Sequence, residues 1–232
     1  MKINSYSLTY SGSFREPMFA AATPDGCDLW AAASGPERDT ADEVIQQLMN
    51  LANHSNSLTA QAIEACLETY APSLRQYNAQ VSLGGVYFDS GMMNMFNIGN
   101  VRILVFSRGY AKMHSEDHTE AYDLLHAQGE ESRENYDELR YMVESQNLSR
   151  ALGNSQNSKL RFYEPYAPQH DDAFLICTDC FWKYIGVVEM ELDYRKAAGP
   201  EEWLKIMSRR VLMRGGRKLD NENFAAIAAM ID

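Results

Sequence analysis

The chain has 232 residues, of which 45% are hydrophobic and 23% are charged, and its formal net charge is −11. This composition is ordinary for a globular protein with a sizeable core. A surface this acidic repels nucleic-acid phosphates and anionic lipid headgroups, so we expect neither nucleic acid nor membrane as a partner. A basic segment of a protein partner is compatible with the charge.

The N-terminal segment, residues 1–12, lacks the basic start and apolar core of a secretory signal. No apolar run approaches the roughly 20 residues needed to span a bilayer. The most linker-like stretch, residues 129–135, is short and is typical of a loop. The sequence therefore predicts a cytoplasmic protein with one domain over residues 1–232.

Four cysteines in this length do not indicate a disulfide framework. Cys177 and Cys180 form a C-x-x-C pair, which fits half of a zinc site, a redox motif, or small residues beside a buried strand end. Because no second pair is present, we favour the last interpretation.

The first part of the chain alternates between predicted strands and helices. Apolar and polar residues alternate over residues 3–10, which predicts a strand. Short apolar runs at 18–22 and 29–33 predict two more strands. Apolar residues then recur at helical spacing through 44–52 and 63–74, which predicts two helices.

Three further strands are predicted at residues 81–88, 92–98 and 101–106. The last two are separated by Gly99-Asn100, a dipeptide typical of a tight hairpin.

The C-terminal half mixes both kinds of element. Helices are predicted at 120–128, 135–143 and 200–213, and strands at 173–177 and 224–231. This order of strands and helices predicts an α+β fold, with antiparallel sheets and helices packed outside them.

Four regions carry short patterns that belong together. Residues 97–102 read N-I-G-N-V-R and are followed by D-H-T at 117–119. Residues 148–154 read L-S-R-A-L-G-N, residues 174–182 read F-L-I-C-T-D-C-F-W, and D-N occurs at 220–221. In this order, the patterns resemble those of the metal-dependent protein phosphatases of type 2C. The corresponding family patterns are N-x-G-D-S-R, D-H-[ST], L-x-R-[AS]-[LF]-G-D and F-L-[LI]-[LC]-[SC]-D-G-[LI]-W.

The resemblance implies a four-layer αββα sandwich and the hydrolysis of phosphoserine and phosphothreonine with two Mg²⁺ or Mn²⁺ ions. Such ions bind the phosphate oxygens and lower the pKa of the attacking water, and as hard cations they take oxygen ligands. Asp179 and Asp220 match metal-binding aspartates of the family, and Gly35 matches a glycine whose carbonyl is a ligand. Arg15 matches the arginine that holds substrate phosphate.

Other positions depart from the family pattern. Phe19 and Ala20 stand where the family has an acidic pair, Ser34 where it has the aspartate that bridges both metals, and Lys183 where it has an aspartate. Two asparagines also stand at aspartate positions: Asn100 and Asn154. Because ligand charge holds such ions, the changes predict at most one weakly bound Mn²⁺ or Mg²⁺ ion.

Three hypotheses follow from the resemblance. The first is a pseudophosphatase that binds a protein partner, either a phosphorylated protein or a kinase. The second is a divergent active Mn²⁺- or Mg²⁺-dependent serine/threonine phosphatase that recruits other carboxylates. The third is a structural subunit of an assembly. The carboxylates available to the second hypothesis are Asp25, Asp28, Glu37 and Asp39.

Two other features of the sequence bear on function. His118 lies in the D-H-T pattern, where we expect a structural role. A basic cluster interrupts the acidic chain, and we interpret it as a solvated face, with contact to an anion or partner as the alternative. The cluster consists of Arg209, Arg210, Arg214, Arg217 and Lys218.

Overall fold

The computed structural model describes residues 1–11, 19–22, 28–36, 38–55, 57–130, 132–216 and 223–232. The strands are β1 (Ile3–Tyr10), β2 (Phe19–Ala22), β3 (Leu29–Ser34), β4 (Ser82–Asp89), β5 (Met92–Ile98), β6 (Arg102–Ser107), β7 (Tyr110–His114), β8 (Arg161–Phe162), β9 (Ala173–Cys177) and β10 (Phe224–Ile231). The helices are α1 (Arg38–His54), α2 (Ala60–Gln76), α3 (Glu120–Gln128), α4 (Arg133–Glu138), α5 (Asp179–Trp182), α6 (Val187–Tyr194) and α7 (Pro200–Gly215), with 3-10 turns at Leu139–Tyr141 and Val143–Gln146.

The strands form two antiparallel sheets of five strands each. The first sheet has the order β1-β10-β9-β6-β7, and the second has the order β2-β3-β4-β5-β8. Helices α1 and α2 pack on the outer face of the second sheet, and α5, α6 and α7 pack on the outer face of the first. The predicted four-layer αββα sandwich is confirmed.

Three apolar cores hold these layers together. The middle core lies between the sheets and combines large residues such as Trp30 and Phe174 with small ones such as Ala32 and Ala229. Trp30 packs edge-to-face against Phe174 of the opposite sheet, with ring centroids 5.4 Å apart. Facing large and small side chains let the sheets approach closely, as interdigitated packing requires.

The predicted hairpin at Gly99-Asn100 is wrong. Strand β5 pairs with β4 and β8, whereas β6 pairs with β7 and β9, so the segment between them crosses from the second sheet to the first. Gly99 has a φ of 81°, which both a hairpin turn and this crossing require. The local sequence therefore predicts the turn but not which strands pair.

Within the described part of the chain, tight hairpin turns lie at Ser90-Gly91 and Arg108-Gly109, where both residues of each pair have positive φ. The second turn joins β6 to β7, a strand that the sequence analysis missed together with α6. The helix predicted at 135–143 is correct only in part, because α4 begins at Arg133 and gives way to a 3-10 turn after Glu138.

The other predicted elements agree with the structure to within a few residues at their ends. Helix α3 matches its predicted bounds, with Thr119 accepting a hydrogen bond from the backbone of Tyr122 at its start and Gly129 in a left-handed conformation at its end. Among the described residues, no helix is long and apolar enough to cross a membrane.

We expect Gly99→Ala to destabilise the protein more than Gly91→Ala. Both glycines have a φ near 80°, so each alanine carries a strain of roughly 1–2 kcal/mol. A Cβ at Gly99 would also lie 2.8 Å from Ser82 Cα, whereas nothing lies within 4 Å of a Cβ at Gly91. Overpacking adds about 1–3 kcal/mol to the loss at Gly99, which urea unfolding of both variants measures. Equal losses would show that the crossing is not tightly packed.

Candidate functional site

The strand ends that carry the family-like positions meet at one end of the sandwich, here called the site end. In the second sheet, Ser34 ends β3 and pairs with Phe19 on one side and Ser82 on the other. Ser34, at the position of the family's bridging aspartate, and Phe19, at one position of its acidic pair, are therefore direct neighbours on adjacent strands.

In the first sheet, β9 ends at Cys177 and is tied to the start of β10. Thr178 Oγ1 accepts a hydrogen bond from the backbone of Ala225 at 3.0 Å, and the Thr178 backbone donates to the Ala225 carbonyl at 3.0 Å. Helix α5 begins immediately afterwards, so Asp179 is held at the tip of a buried strand.

Two hydrogen bonds join the site ends of the sheets. The backbone N–H of Asn100 donates to Ser82 Oγ at 3.3 Å, and the Asn100 carbonyl accepts from Trp182 Nε1 at 2.9 Å. Ser82 lies beside Ser34 in the second sheet, and Trp182 lies in the same helix as Asp179. These contacts therefore bring Ser34 and Asp179, which lie far apart in the sequence, to the same end of the sandwich.

Lys183 forms an ion pair with Asp179, with 2.8 Å between Nζ and Oδ2. The two side chains are only 16% and 21% exposed, so the pair is partly shielded from solvent. An ammonium group therefore contacts the carboxylate at the position that the resemblance aligns with a metal ligand. A divalent ion at Asp179 would have to displace this contact and would lie beside a like charge.

Behind the site end lies a buried ion pair between Arg102 and Asp117. Arg102 donates to both carboxylate oxygens, at 3.1 Å from Nε and 2.7 Å from a terminal nitrogen. The guanidinium carbon lies 4.1 Å from the ring centre of Tyr136 and 3.7 Å from that of Trp182. All four side chains are almost completely buried, and together they connect β6, α4 and α5.

His118 has the structural role that we expected. Its Nδ1 accepts a hydrogen bond from the backbone of Gly99 at 3.2 Å, and its own backbone donates to the Gly99 carbonyl at 2.9 Å. Burial, together with the charges of Arg150 and Arg161, lowers the pKa of His118 to about 4. The neutral imidazole therefore fixes the crossing between the sheets.

The two asparagines at aspartate positions have structural contacts. Asn100 is buried and is held through its backbone, as described above. Asn154 Oδ1 accepts from the backbones of Gln156 and Asn157 at 2.8 and 3.1 Å, which shapes the turn after Gly153. Neither contact requires a carboxylate.

Gly35 also has a packing reason to be glycine. A Cβ there would lie 3.2 Å from Val81 and closer still to the Thr40 hydroxyl of α1. Packing alone therefore explains a glycine at this position, without a role for its carbonyl as a metal ligand.

Several predicted site residues lie outside the described part of the chain. Arg15 and Asp220 fall in residues 12–18 and 217–222, and for Phe19 and Ala20 the structure describes the backbone only. Asp25 and Glu37, two of the alternative carboxylates, also lie outside it. Their contributions to a site stay predictions.

The two alternative carboxylates that are described lie poorly for a metal site. The Asp28 carbonyl accepts from the backbone of Phe88, at the opposite end of β3 from Ser34. Asp39 lies exposed in the first turn of α1, where a carboxylate interacts favourably with the helix dipole.

The cysteine pair lies at the end of the buried strand β9, as we favoured, whereas Arg210 and Arg214 of the basic cluster form ion pairs within the chain instead of a solvated face. Cys177 is buried and Cys180 is half-buried. Arg210 binds the Asp193 carboxylate of α6 at 2.7 and 2.9 Å, and Arg214 binds Glu189 of the same helix. These two arginines thus join α7 to α6.

The described residues do not fit a binuclear metal centre. Within the described ranges, no group of three or more histidine, cysteine, aspartate or glutamate side chains is arranged to hold a metal ion. Asp179 is engaged by Lys183, and Ser34 offers a neutral hydroxyl instead of a bridging carboxylate.

Comparison with solved structures identifies the fold. PppA, described as a key regulatory component of T6SS in Pseudomonas aeruginosa, is 17% identical, with a TM-score of 0.81 and coverage of 100% of this chain and 99% of its own. Serine/threonine phosphatase Stp1 from Staphylococcus aureus is 13% identical, with a TM-score of 0.84 and coverage of 100% and 96%. This chain has the protein phosphatase 2C fold.

A third neighbour of this protein phosphatase 2C-like chain is the catalytic domain of the phosphatase PstP, which was solved with 2 manganese ions. It is 16% identical, with a TM-score of 0.75 and coverage of 99% of both chains. No protein-family model matches the sequence, and no curated protein matches it significantly. At these identities the comparisons show the fold alone.

Sequence reasoning missed the ion pair between Asp179 and Lys183, although its signal was present. The residues are four apart at the start of a helix, a spacing at which oppositely charged side chains meet. The sequence placed Lys183 where the family has an aspartate, but it was not used to predict that Lys183 pairs with Asp179.

We expect Asp117→Asn to destabilise the protein by about 3–5 kcal/mol, because it leaves the Arg102 charge buried without its partner. Glu116→Gln is the matched control, since Glu116 pairs with Arg161 at 3.2 Å on the surface, where such pairs contribute about 1 kcal/mol or less. Denaturant unfolding measures both losses. A loss at Asp117 no larger than at Glu116 would contradict the importance of the buried pair.

The lowered pKa of His118 predicts a loss of stability in mild acid. The unfolded chain binds a proton near pH 6.5 and the native chain near pH 4, so stability falls as the pH drops through this window. The loss between pH 7 and pH 5 is about 2 kcal/mol from this group.

His118→Asn retains an acceptor near Nδ1 and removes the titration of His118, so it should make this part of the stability profile less steep, while burial also lowers the pKa of His114 and leaves that contribution in place. His170→Asn, at a side chain that is 73% exposed, is the control and should leave the profile unchanged. Urea unfolding at several pH values measures the slopes. An unchanged slope in His118→Asn would show that another group titrates.

Proposed function

We propose that this chain is a pseudophosphatase: a degenerate member of the protein phosphatase 2C family that acts by binding a protein partner. The partner is a phosphorylated protein or a kinase. The ion pair between Lys183 and Asp179 is the observation that carries this proposal, because it engages an aligned metal ligand with a cation from the same chain.

The neighbouring positions support the same conclusion. Ser34 and Phe19, which pair across β2 and β3, supply no carboxylate where the family pattern has two. A serine hydroxyl does not neutralise two dications as a bridging carboxylate does, and phenylalanine has no ligand atom in its side chain. Efficient hydrolysis of a phosphate monoester depends on those two ions in the family mechanism.

The packing behind the site end supports a binding role for the fold. The Arg102–Asp117 pair and the hydrogen bonds of Asn100 hold the strand ends in place through contacts within the chain. A preformed surface binds a partner with less ordering cost than a flexible one. Under this proposal, Arg15 holds a phosphate group of the partner.

The test is to restore the carboxylates in one variant that combines Phe19→Glu, Ala20→Asp, Ser34→Asp and Lys183→Asp. In a chelator, the added anions repel one another and lower the melting temperature below that of the parent. Mn²⁺ at a hundred times its dissociation constant then stabilises the variant by about 2.7 kcal/mol. The parent should show no such response and only background hydrolysis of an aryl phosphate.

Lys183→Met in the parent is the control, because it frees Asp179 without adding a ligand. Its melting temperature should respond to Mn²⁺ weakly, if at all. Robust hydrolysis by the parent with Mn²⁺ or Mg²⁺, abolished by Asp179→Asn, would replace the proposal with the active-phosphatase hypothesis. If the melting temperature of the restored variant also does not respond to Mn²⁺, then Phe19, Ala20 and Ser34 were matched to the wrong positions of the family pattern.

A further inference from the structure

A groove on the outer side of the first sheet is separate from the site end, and we call it the acidic groove. It lies between β7, α4 and α6 and has a volume of about 380 Å³. It is lined by Tyr110, Glu134, Asp137, Glu138, Val187, Val188 and Glu191. None of these residues belongs to the aligned metal positions.

A small apolar pocket of about 150 Å³ lies next to the acidic groove, and Val187 lines both. The other residues of its walls are Leu104, Ala111, Lys112, Met113, His114 and Tyr136. A cavity of this size accepts one medium-sized apolar group, since apolar cavities of similar volume bind benzene-sized molecules. The pocket is therefore suited to a single aliphatic side chain.

Two large side chains are exposed at the mouth of the groove. Tyr110 and Val188 are 58% and 57% exposed, on β7 and α6 respectively. Exposed large apolar side chains beside a concave pocket are typical of sites that bind a protein segment.

The rim of the groove carries carboxylates with two different roles. Asp137 and Glu191 are used internally, because they accept hydrogen bonds from the backbones of Val187 and Ala111 at 3.1 and 2.7 Å. Glu134 and Glu138 are exposed and lie one turn apart on α4. Among the described residues, neither forms an ion pair with a cation.

We propose that the acidic groove docks a peptide segment of a partner protein in which an apolar side chain lies close to lysine or arginine residues. The apolar side chain enters the pocket beside Val187, and the cationic side chains pair with Glu134 and Glu138. A second copy of this chain is a poor occupant, because each copy has a net charge of −11 and the same carboxylates. The proposal is independent of the metal chemistry at the site end.

The test uses a fluorescein-labelled lysine–glycine peptide with one central leucine, and the same peptide with glutamine in place of the leucine. We expect the leucine peptide to bind the parent and the glutamine peptide to bind several-fold more weakly, as measured by fluorescence anisotropy. Glu134→Gln combined with Glu138→Gln should weaken binding of the leucine peptide by roughly tenfold. Val188→Ser should weaken it while leaving its salt dependence unchanged.

The matched control combines Glu64→Gln with Glu68→Gln, one turn apart on α2 at the opposite outer layer of the sandwich. This control makes the same change in net charge and should leave the affinity within about twofold. An equal loss in both double variants would mean diffuse attraction to an acidic surface and would overturn the proposal. So would failure of the leucine peptide to bind, or a dimer in sedimentation that Val188→Ser dissociates.

Discussion

The buried Arg102–Asp117 pair is the contact on which the arrangement of the site end depends. Two charges are removed from water at a cost of several kcal/mol each unless their attraction and hydrogen bonds offset it. The offset here requires the carboxylate after β7, the ring of Tyr136 from α4 and the ring of Trp182 from α5. If any of the three moves, a charge loses a partner in a region that water does not reach. The pair therefore fixes the relative positions of segments that are far apart in sequence.

This constraint holds the site end in shape although several aligned positions do not carry the ligand types of the family pattern. Trp182 contacts Arg102 on one side and the Asn100 carbonyl through its indole N–H, and the next residue, Lys183, binds Asp179. Tyr136 contacts the same guanidinium and lines the apolar pocket beside the acidic groove. The residues that pack behind the site are thus different from the residues that determine its charge. The packing residues can therefore stay the same while the charged residues differ.

The elements of the fold were largely predictable because most of them are long and strongly patterned, as α2 and α7 are. The crossing at Gly99 was not, because a glycine with positive φ permits both a hairpin and a change of sheet, and only the distant partners of β5 and β6 decide between them. The site showed the same limit. Motif spacing predicted that Ser34 and Asp179 lie at one end, but the bond from Lys183 depends on the local start of α5. Strand β7 was missed because five residues with a charge at the centre give a weak pattern.

The residue types at the aligned positions are also electrostatically consistent with a site that binds no metal ion. Clustered carboxylates without metal ions repel one another and raise their own pKa values, so a site that loses its ions is more stable if it loses acids as well. Under the proposed function, Phe19, Ala20 and Ser34 stand in place of acids, and Lys183 supplies a cation to the acid at Asp179. That cation is attached to the chain four residues from its partner, so its local concentration does not depend on any supply of ions. Under the proposed function, the site end therefore has the same charge and shape whatever the concentration of Mg²⁺ or Mn²⁺, which suits a surface whose role is to bind.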